Sequence, residues 1–257
     1  MENVSVNSEY KLNSTLVDLS KGKNVTLDIT NDVVLLVTEI DSDSSLLLNI
    51  ASNCNVRFSV LAKNNINNAK IVANLEENAT FDAYFADFSE GKGKIKVDIN
   101  LNKEGASAVW HLASLSANSD NKEFEVSVYH FASRTTGRSD NFGVCKDDAK
   151  LVFSGVSKIF NGCKRSKTNQ NAKIMVFDEK SIGIAKPILK IDENDIEASH
   201  GAVVGKISDE HLFYLMSRGL SEEKAKVLIT YGYLKPIMNG FDENAQATIE
   251  KLIEGRM

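Results

Sequence analysis

The chain has 257 residues, 42% of them hydrophobic and 25% charged, with a net charge of −5. This is the composition of a water-soluble globular protein large enough to bury a core of one or two domains. The acidic balance argues against nucleic-acid binding, which calls for a clustered excess of Lys and Arg; the short basic run Lys164, Arg165, Lys167 reads as a solvated turn.

The opening stretch, MENVSVNSEYKLNSTL, lacks a basic start followed by an apolar core, so no signal peptide is expected. No apolar run approaches the roughly 20 residues that span a bilayer. Cys54, Cys145 and Cys163 are far apart and form neither a disulfide framework nor a CxxC metal knuckle. The expected compartment is a reducing cytoplasm, with no membrane and no nucleic acid among the partners.

From about residue 12 to residue 191 the pattern is one of short β-like runs separated by Asn, Asp, Ser and Gly. VTLDI at 25–29, VVLLVT at 33–38, SLLLNI at 45–50, NVRFSVL at 55–61, AKIVANL at 69–75, ATFDAYF at 79–85 and KIKVDINL at 94–101 follow one another, most with the period-two alternation of strands that bury one face. In the run 123–131, Phe124, Val126, Val128 and His130 share one face while Glu125, Ser127 and Tyr129 share the other. Strands this regular, with no helix between them, fit a sandwich, a barrel or a β-helix. Three features favour the β-helix. Asparagine sits at the run ends, where it tolerates left-handed turns and stacks in ladders; proline is nearly absent; and the hairpin dipeptide occurs only at Asn161-Gly162 and Asn239-Gly240.

The pattern changes after residue 205. Ser208 is placed to cap a helix through DEHLFYLMS, which Gly219 ends; Ser221 caps a second through EEKAKVLITY, which Gly232 closes; and a third covers 242–254.

The chemistry-bearing motifs are few. EGKGKIK at 90–96 lacks P-loop spacing, and GxSxG, HExxH and GxGxxG do not occur. His111 and His130 read as core or boundary residues and His211 as an exposed first-turn residue. His200, followed by Gly201 and surrounded by small residues, reads either as a structural residue or as an accessible ligand. Cys145 and Cys163 lie near turns, and each is either a small core residue or an exposed thiol.

The stretch from Gly155 to Pro236 resembles the SufB/SufD family, scaffold subunits of the SUF iron-sulfur cluster assembly machinery. The resemblance is carried by FSGVSKIFNGCKRSKTNQNAKIMVFDE, by KPILKIDENDIEASHGAVVGKISDEHLFYLMSRGLSEEKAKVLI and by YGYLKPI. Its most specific part is the order Pro187, Leu189, Ile191, the acidic DEND, His200-Gly201, Gly205, then Leu212, Tyr214, Leu215 and Ser217-Arg218-Gly219. The resemblance implies a mainly β protein, a right-handed parallel β-helix over 1–205 followed by a small helical segment, 206–257, that docks an ABC-type ATPase usually called SufC. It also implies a non-catalytic scaffold, not an enzyme, that pairs with a SufB-type subunit or a second copy of itself, and that draws on ATP hydrolysed in trans. No firmly bound cofactor is expected, only a transient iron or Fe–S cluster at a subunit interface, where His200 is the candidate ligand. The implied partner-binding residues are Leu212, Tyr214, Leu215, Arg218, Gly219, Leu228 and Tyr233, the leucines serving equally well to pack the tail.

Two departures stand out. Ala198 occupies a position where many members have a cysteine, and Lys173 one where an arginine is common; the first removes a thiolate ligand and places the chain on the SufD side. The alternatives are a homodimeric SufB-like scaffold that holds the nascent cluster itself and, from another class, a cytosolic β-helix carbohydrate-active enzyme.

Overall fold

The computed structural model describes residues 2–6, 14–19, 24–40, 43–64 and 66–257. Residues 1 and 7–13 of the opening stretch read above lie outside them. Strands β1 (Glu2–Val6), β2 (Ser14–Leu19), β3 (Asn24–Ile29), β4 (Val33–Ile40), β5 (Ser44–Ile50), β6 (Asn55–Ala62), β7 (Asn68–Leu75) and β8 (Thr80–Asp87) come first. They are followed by β9 (Lys92–Leu101), β10 (Ser107–Ser116), β11 (Asn121–His130), β12 (Thr136–Cys145), β13 (Lys150–Ile159), β14 (Ser166–Val176), β15 (Ile182–Ile191) and β16 (Ile196–Lys206). Helices α1 (Asp209–Ser217), α2 (Glu222–Met238) and α3 (Glu243–Glu254) close the chain.

The odd-numbered strands form one eight-stranded sheet and the even-numbered strands another. Neighbours within each sheet are parallel, so the chain crosses from sheet to sheet at every turn and winds a parallel β-solenoid. The Asn161-Gly162 pair, a hairpin signal on sequence grounds, joins β13 to β14, which belong to different sheets. Gly162 simply supplies a positive φ at that corner.

Strand interiors show why the alternating pattern folds this way. In β11, Phe124, Val126, Val128 and His130 are all buried, as the period predicts. Continuous columns run through the interior, one of them Phe58, Ala83, Trp110, Ser139, Gln170 and His200, each the register partner of the next. The first three are fully buried apolar side chains, and Phe85 packs against Trp110 with ring centroids 5.8 Å apart. Such aromatic contacts add to a core built mostly of Val, Leu and Ile.

Asparagine works where the sequence places it. On the outer face of the odd sheet, Asn49 Nδ2 donates to Asp28 (2.8 Å), Asn74 to Asn49 (2.9 Å) and Asn100 to Asn74 (2.8 Å). At one corner Asn53 and Asn78 adopt left-handed conformations, with Asn78 Nδ2 donating to Asn53 Oδ1 at 3.3 Å. The next coil has Gly105 there, at φ 75°, and a Cβ on it would lie 2.1 Å from Asn78 Oδ1. Glycine avoids that contact, while the same corner in the later coils takes Arg134 and Arg165, also at positive φ.

The caps of α1 and α2 follow the sequence: Ser208 Oγ accepts from His211 N, and Ser221 Oγ from Lys224 N. One boundary differs. Helix α2 continues through Gly232 and Pro236 to Met238. Leu234, Ile237, Met238 and the following Phe241 are buried against the even sheet, and that burial outweighs the helix-weakening glycine.

Candidate functional site

The terminal coil is the first unusual surface. Among the described residues, strand β15 pairs only with β13, and β16 only with β14, so each leaves one backbone edge open. Every residue of 182–206 is exposed or half-buried, including large apolar side chains: Ile182, Ile188, Val203 (57% exposed) and Val204. His200 lies in this coil and is exposed. Its position belongs to the interior column, directly after Gln170, and it is open because no coil follows it. The column changes from apolar at Phe58 and Trp110 to polar at Ser139 and Gln170 as it approaches this end. Ala198 is half-buried two residues away in the same strand.

The second surface is the helical tail. Helix α1 buries none of its residues. Phe213 is 74% and Tyr214 56% exposed, and Met216 is exposed as well. The Arg218 guanidinium lies 5.2 Å from the centre of the Tyr214 ring, a cation–π contact that holds two of the sequence candidates together. Leu212 and Leu215 are half-buried, and Gly219, at φ 93°, ends the turn. Leu228, 49% exposed, borders a groove of about 810 Å³ between α2 and the end of α3, lined also by Leu220, Val227, Tyr231, Ile253 and Met257. Tyr233 is placed differently: its ring meets Phe142 of β12 edge-on at 5.8 Å, and burial pushes its phenol up to about 12. It fastens α2 to the sheet. Phe213 and Met216 were missed on sequence grounds, although their i, i+3 spacing, offset from Leu212 and Leu215, is the signal of a second apolar face.

The thiols are enclosed. Cys54, Cys145 and Cys163 are all buried, so of the two readings of Cys145 and Cys163 the small core residue holds. Cys145 Sγ donates to Ala149 O at 3.2 Å and Cys163 Sγ to His130 O at 3.1 Å, because the corners fold their cysteines inward. Burial pushes the Cys145 thiol up to about 11, away from the thiolate form that binds metals. His130 is fully buried as expected, with Nδ1 2.8 Å from Thr135 Oγ1. His111 is half-buried on the outer face of β10, stacked on Tyr84 at 4.5 Å and flanked by Asp82 and Asp140 at 3.6 and 3.7 Å. Among the described residues no group of three or more His, Cys, Asp or Glu is placed to hold a metal ion.

These features define a parallel β-solenoid with an unpaired terminal coil and a docked helical segment. The family model for the SUF system FeS cluster assembly SufBD core domain matches residues 4–233, and the chain belongs to that family. It is similar to the iron-sulfur cluster assembly protein SufD of Bacillus subtilis (strain 168), 39% identical over 118 residues, which are 46% of this chain and 27% of that protein. To SufB of the same organism it is 27% identical over 157 residues, 61% of this chain and 34% of that protein. An iron-sulfur cluster assembly SufBD family protein of Staphylococcus saprophyticus is 29% identical over 130 residues, 51% of this chain and 28% of that protein. The matched stretch thus spans about a third or less of each of these relatives. No helix among the described residues is long and apolar enough to cross a membrane.

Proposed function

We propose that the chain is a non-catalytic, cytoplasmic scaffold subunit of SUF iron-sulfur cluster assembly. It pairs through its terminal coil with a SufB-type subunit or a second copy, and its helical segment docks a SufC-type ABC ATPase. The observation that carries this reading is the unpaired terminal coil. Two open strand edges with exposed Ile182, Ile188, Val203 and Val204 form a template for another sheet, which natural proteins normally cover. The higher identity to SufD than to SufB supports the SufD-like role.

The iron or nascent cluster is cargo in this reading. His200 supplies one imidazole at the paired end, and the remaining ligands come from the other subunit, since Ala198 brings no thiolate. The exposed Phe213, Tyr214 and Arg218 supply the aromatic and guanidinium anchors that interfaces favour.

The test is anaerobic co-purification from the native cell, read by native mass spectrometry. An ABC-type ATPase is expected with the wild-type chain and lost with Tyr214→Asp, and a second scaffold subunit is expected with the wild type and lost with Val203→Asp. A folded wild-type chain that repeatedly came down alone would refute the proposal. His200→Ala should keep both partners and lose iron; retention of wild-type iron would remove the ligand role alone.

A further inference from the structure

The tail is tied to the solenoid by a buried charge cluster that no sequence motif marks. Asp87 at the end of β8 and Lys122 in β11 are both buried, with Lys122 Nζ 2.7 Å from Asp87 Oδ2. The same ammonium donates to the carbonyls of Ser89 (2.6 Å) and Leu115 (3.2 Å). Arg256, two residues beyond α3, reaches these carbonyls from the other side. Its Nη1 donates to Ser89 O (2.6 Å), Leu115 O (3.1 Å) and Phe88 O (3.0 Å), while Nη2 pairs with Asp120. Asp120 is itself buried and accepts from the backbone amides of Gly91 (2.6 Å) and Ala117 (3.0 Å). Lys146 adds a second hold, donating to the carbonyls of Arg256 (3.3 Å) and Met257 (3.0 Å).

Two anions and two cations are therefore removed from water together, and Arg256 is the one member that belongs to the tail. Its loss would strand the Asp120 carboxylate without a cation, which a buried site tolerates poorly. Because Lys122 and Arg256 share two carbonyls, the position of the tail is coupled to an ion pair within the strands. The free arm is at the opposite end of the tail, where α1 buries nothing.

We propose that Arg256 is a positioning residue, a clamp that joins α3 and the second half of α2 to the solenoid as one rigid body. Resting on the docking reading above, this would carry displacement of α1 by a bound ATPase into the β8–β11 corner instead of dissipating it in a hinge. The clamp itself is measurable without any ATPase, so its failure and the failure of the docking reading are separate results.

The experiment is hydrogen–deuterium exchange by mass spectrometry on the full chain, comparing wild type, Arg256→Gln, Arg256→Lys, Asp120→Asn and the Asp120→Asn/Arg256→Gln double variant. In Arg256→Gln, exchange across 243–254 should accelerate on the order of a hundredfold, while β10–β13 stay within about twofold of wild type. Arg256→Lys should recover part of the protection, because it restores the charge opposite Asp120 without the two-nitrogen fork. The double variant should exchange no faster than Arg256→Gln alone, since the carboxylate is no longer stranded. Unchanged exchange in Arg256→Gln, additive effects in the double variant, a lysine variant no better than the glutamine one, or uniform acceleration through the solenoid would each overturn the proposal.

Discussion

His130 makes the stability of the solenoid depend on pH in a calculable way. The ring is fully buried, its Nδ1 meets Thr135 Oγ1 at 2.8 Å, and its Nε2 has no hydrogen-bond partner among the described residues. Burial lowers its pKa from 6.5 to about 4. The unfolded chain therefore takes up this proton near pH 6.5 and the folded chain only near pH 4. Between those values the unfolded state binds more protons, so the contribution is fully present above pH 6.5 and is lost as the pH falls to about 4. A gap of about 2.5 pH units, at about 1.4 kcal/mol each, amounts to about 3.5 kcal/mol, of which about 3 kcal/mol is lost by pH 4, where the folded group is half protonated. Urea unfolding of wild type and His130→Gln, followed by circular dichroism from pH 7.5 to 4, isolates this group because the other titrations are common to both chains. The stability difference between the two should shrink by about 3 kcal/mol over that range. A difference that stayed constant with pH would refute the argument.

Four further substitutions test the packing and the docking surface. Asn74→Ala removes two links of the asparagine ladder, to Asn49 and from Asn100, and should cost about 1–3 kcal/mol in urea unfolding. Gly155→Ala would place a Cβ 1.8 Å from Val126 O, and the backbone shift this forces should cost about 1–3 kcal/mol and lower the thermal midpoint. Leu228→Asp, at an exposed position, should change stability by no more than about 0.5 kcal/mol and still abolish ATPase capture. Leu234→Asp, at a fully buried one, should instead detach the tail, seen as rapid proteolysis after residue 206.

Much of this architecture is visible in the amino-acid pattern. The alternation in 25–29, 45–50 and 69–75 is a direct imprint of one buried face, and the left-handed asparagines at 53 and 78 mark corners. The repeat itself is hidden because the coils are unequal: Asn24 pairs with Ser45, 21 positions on, whereas Lys150 pairs with Ile182, 32 positions on. The end of α2 was misplaced because a local rule about glycine cannot register what Leu234 and Ile237 gain by packing on the sheet. The exposed face of α1 was partly legible, through Tyr214 and Arg218. The clamp was not, since Asp87, Asp120, Lys122 and Arg256 meet only after several coils have stacked.

The unequal coils also fix the order of the stack. In an array of identical repeats any unit can be copied, deleted or exchanged, because its neighbours offer the same contacts everywhere. Here the odd sheet widens from 6 residues in β3 to 10 in β9, β11, β13 and β15, so a coil from the narrow end does not match the layers at the broad end. A narrow coil copied into the broad end would leave a step in the wall, with unpaired backbone along the overhang. Growth by internal duplication is thereby restricted, and the broad end, with its long open edges, is the place where added chain meets the most unpaired hydrogen-bonding groups.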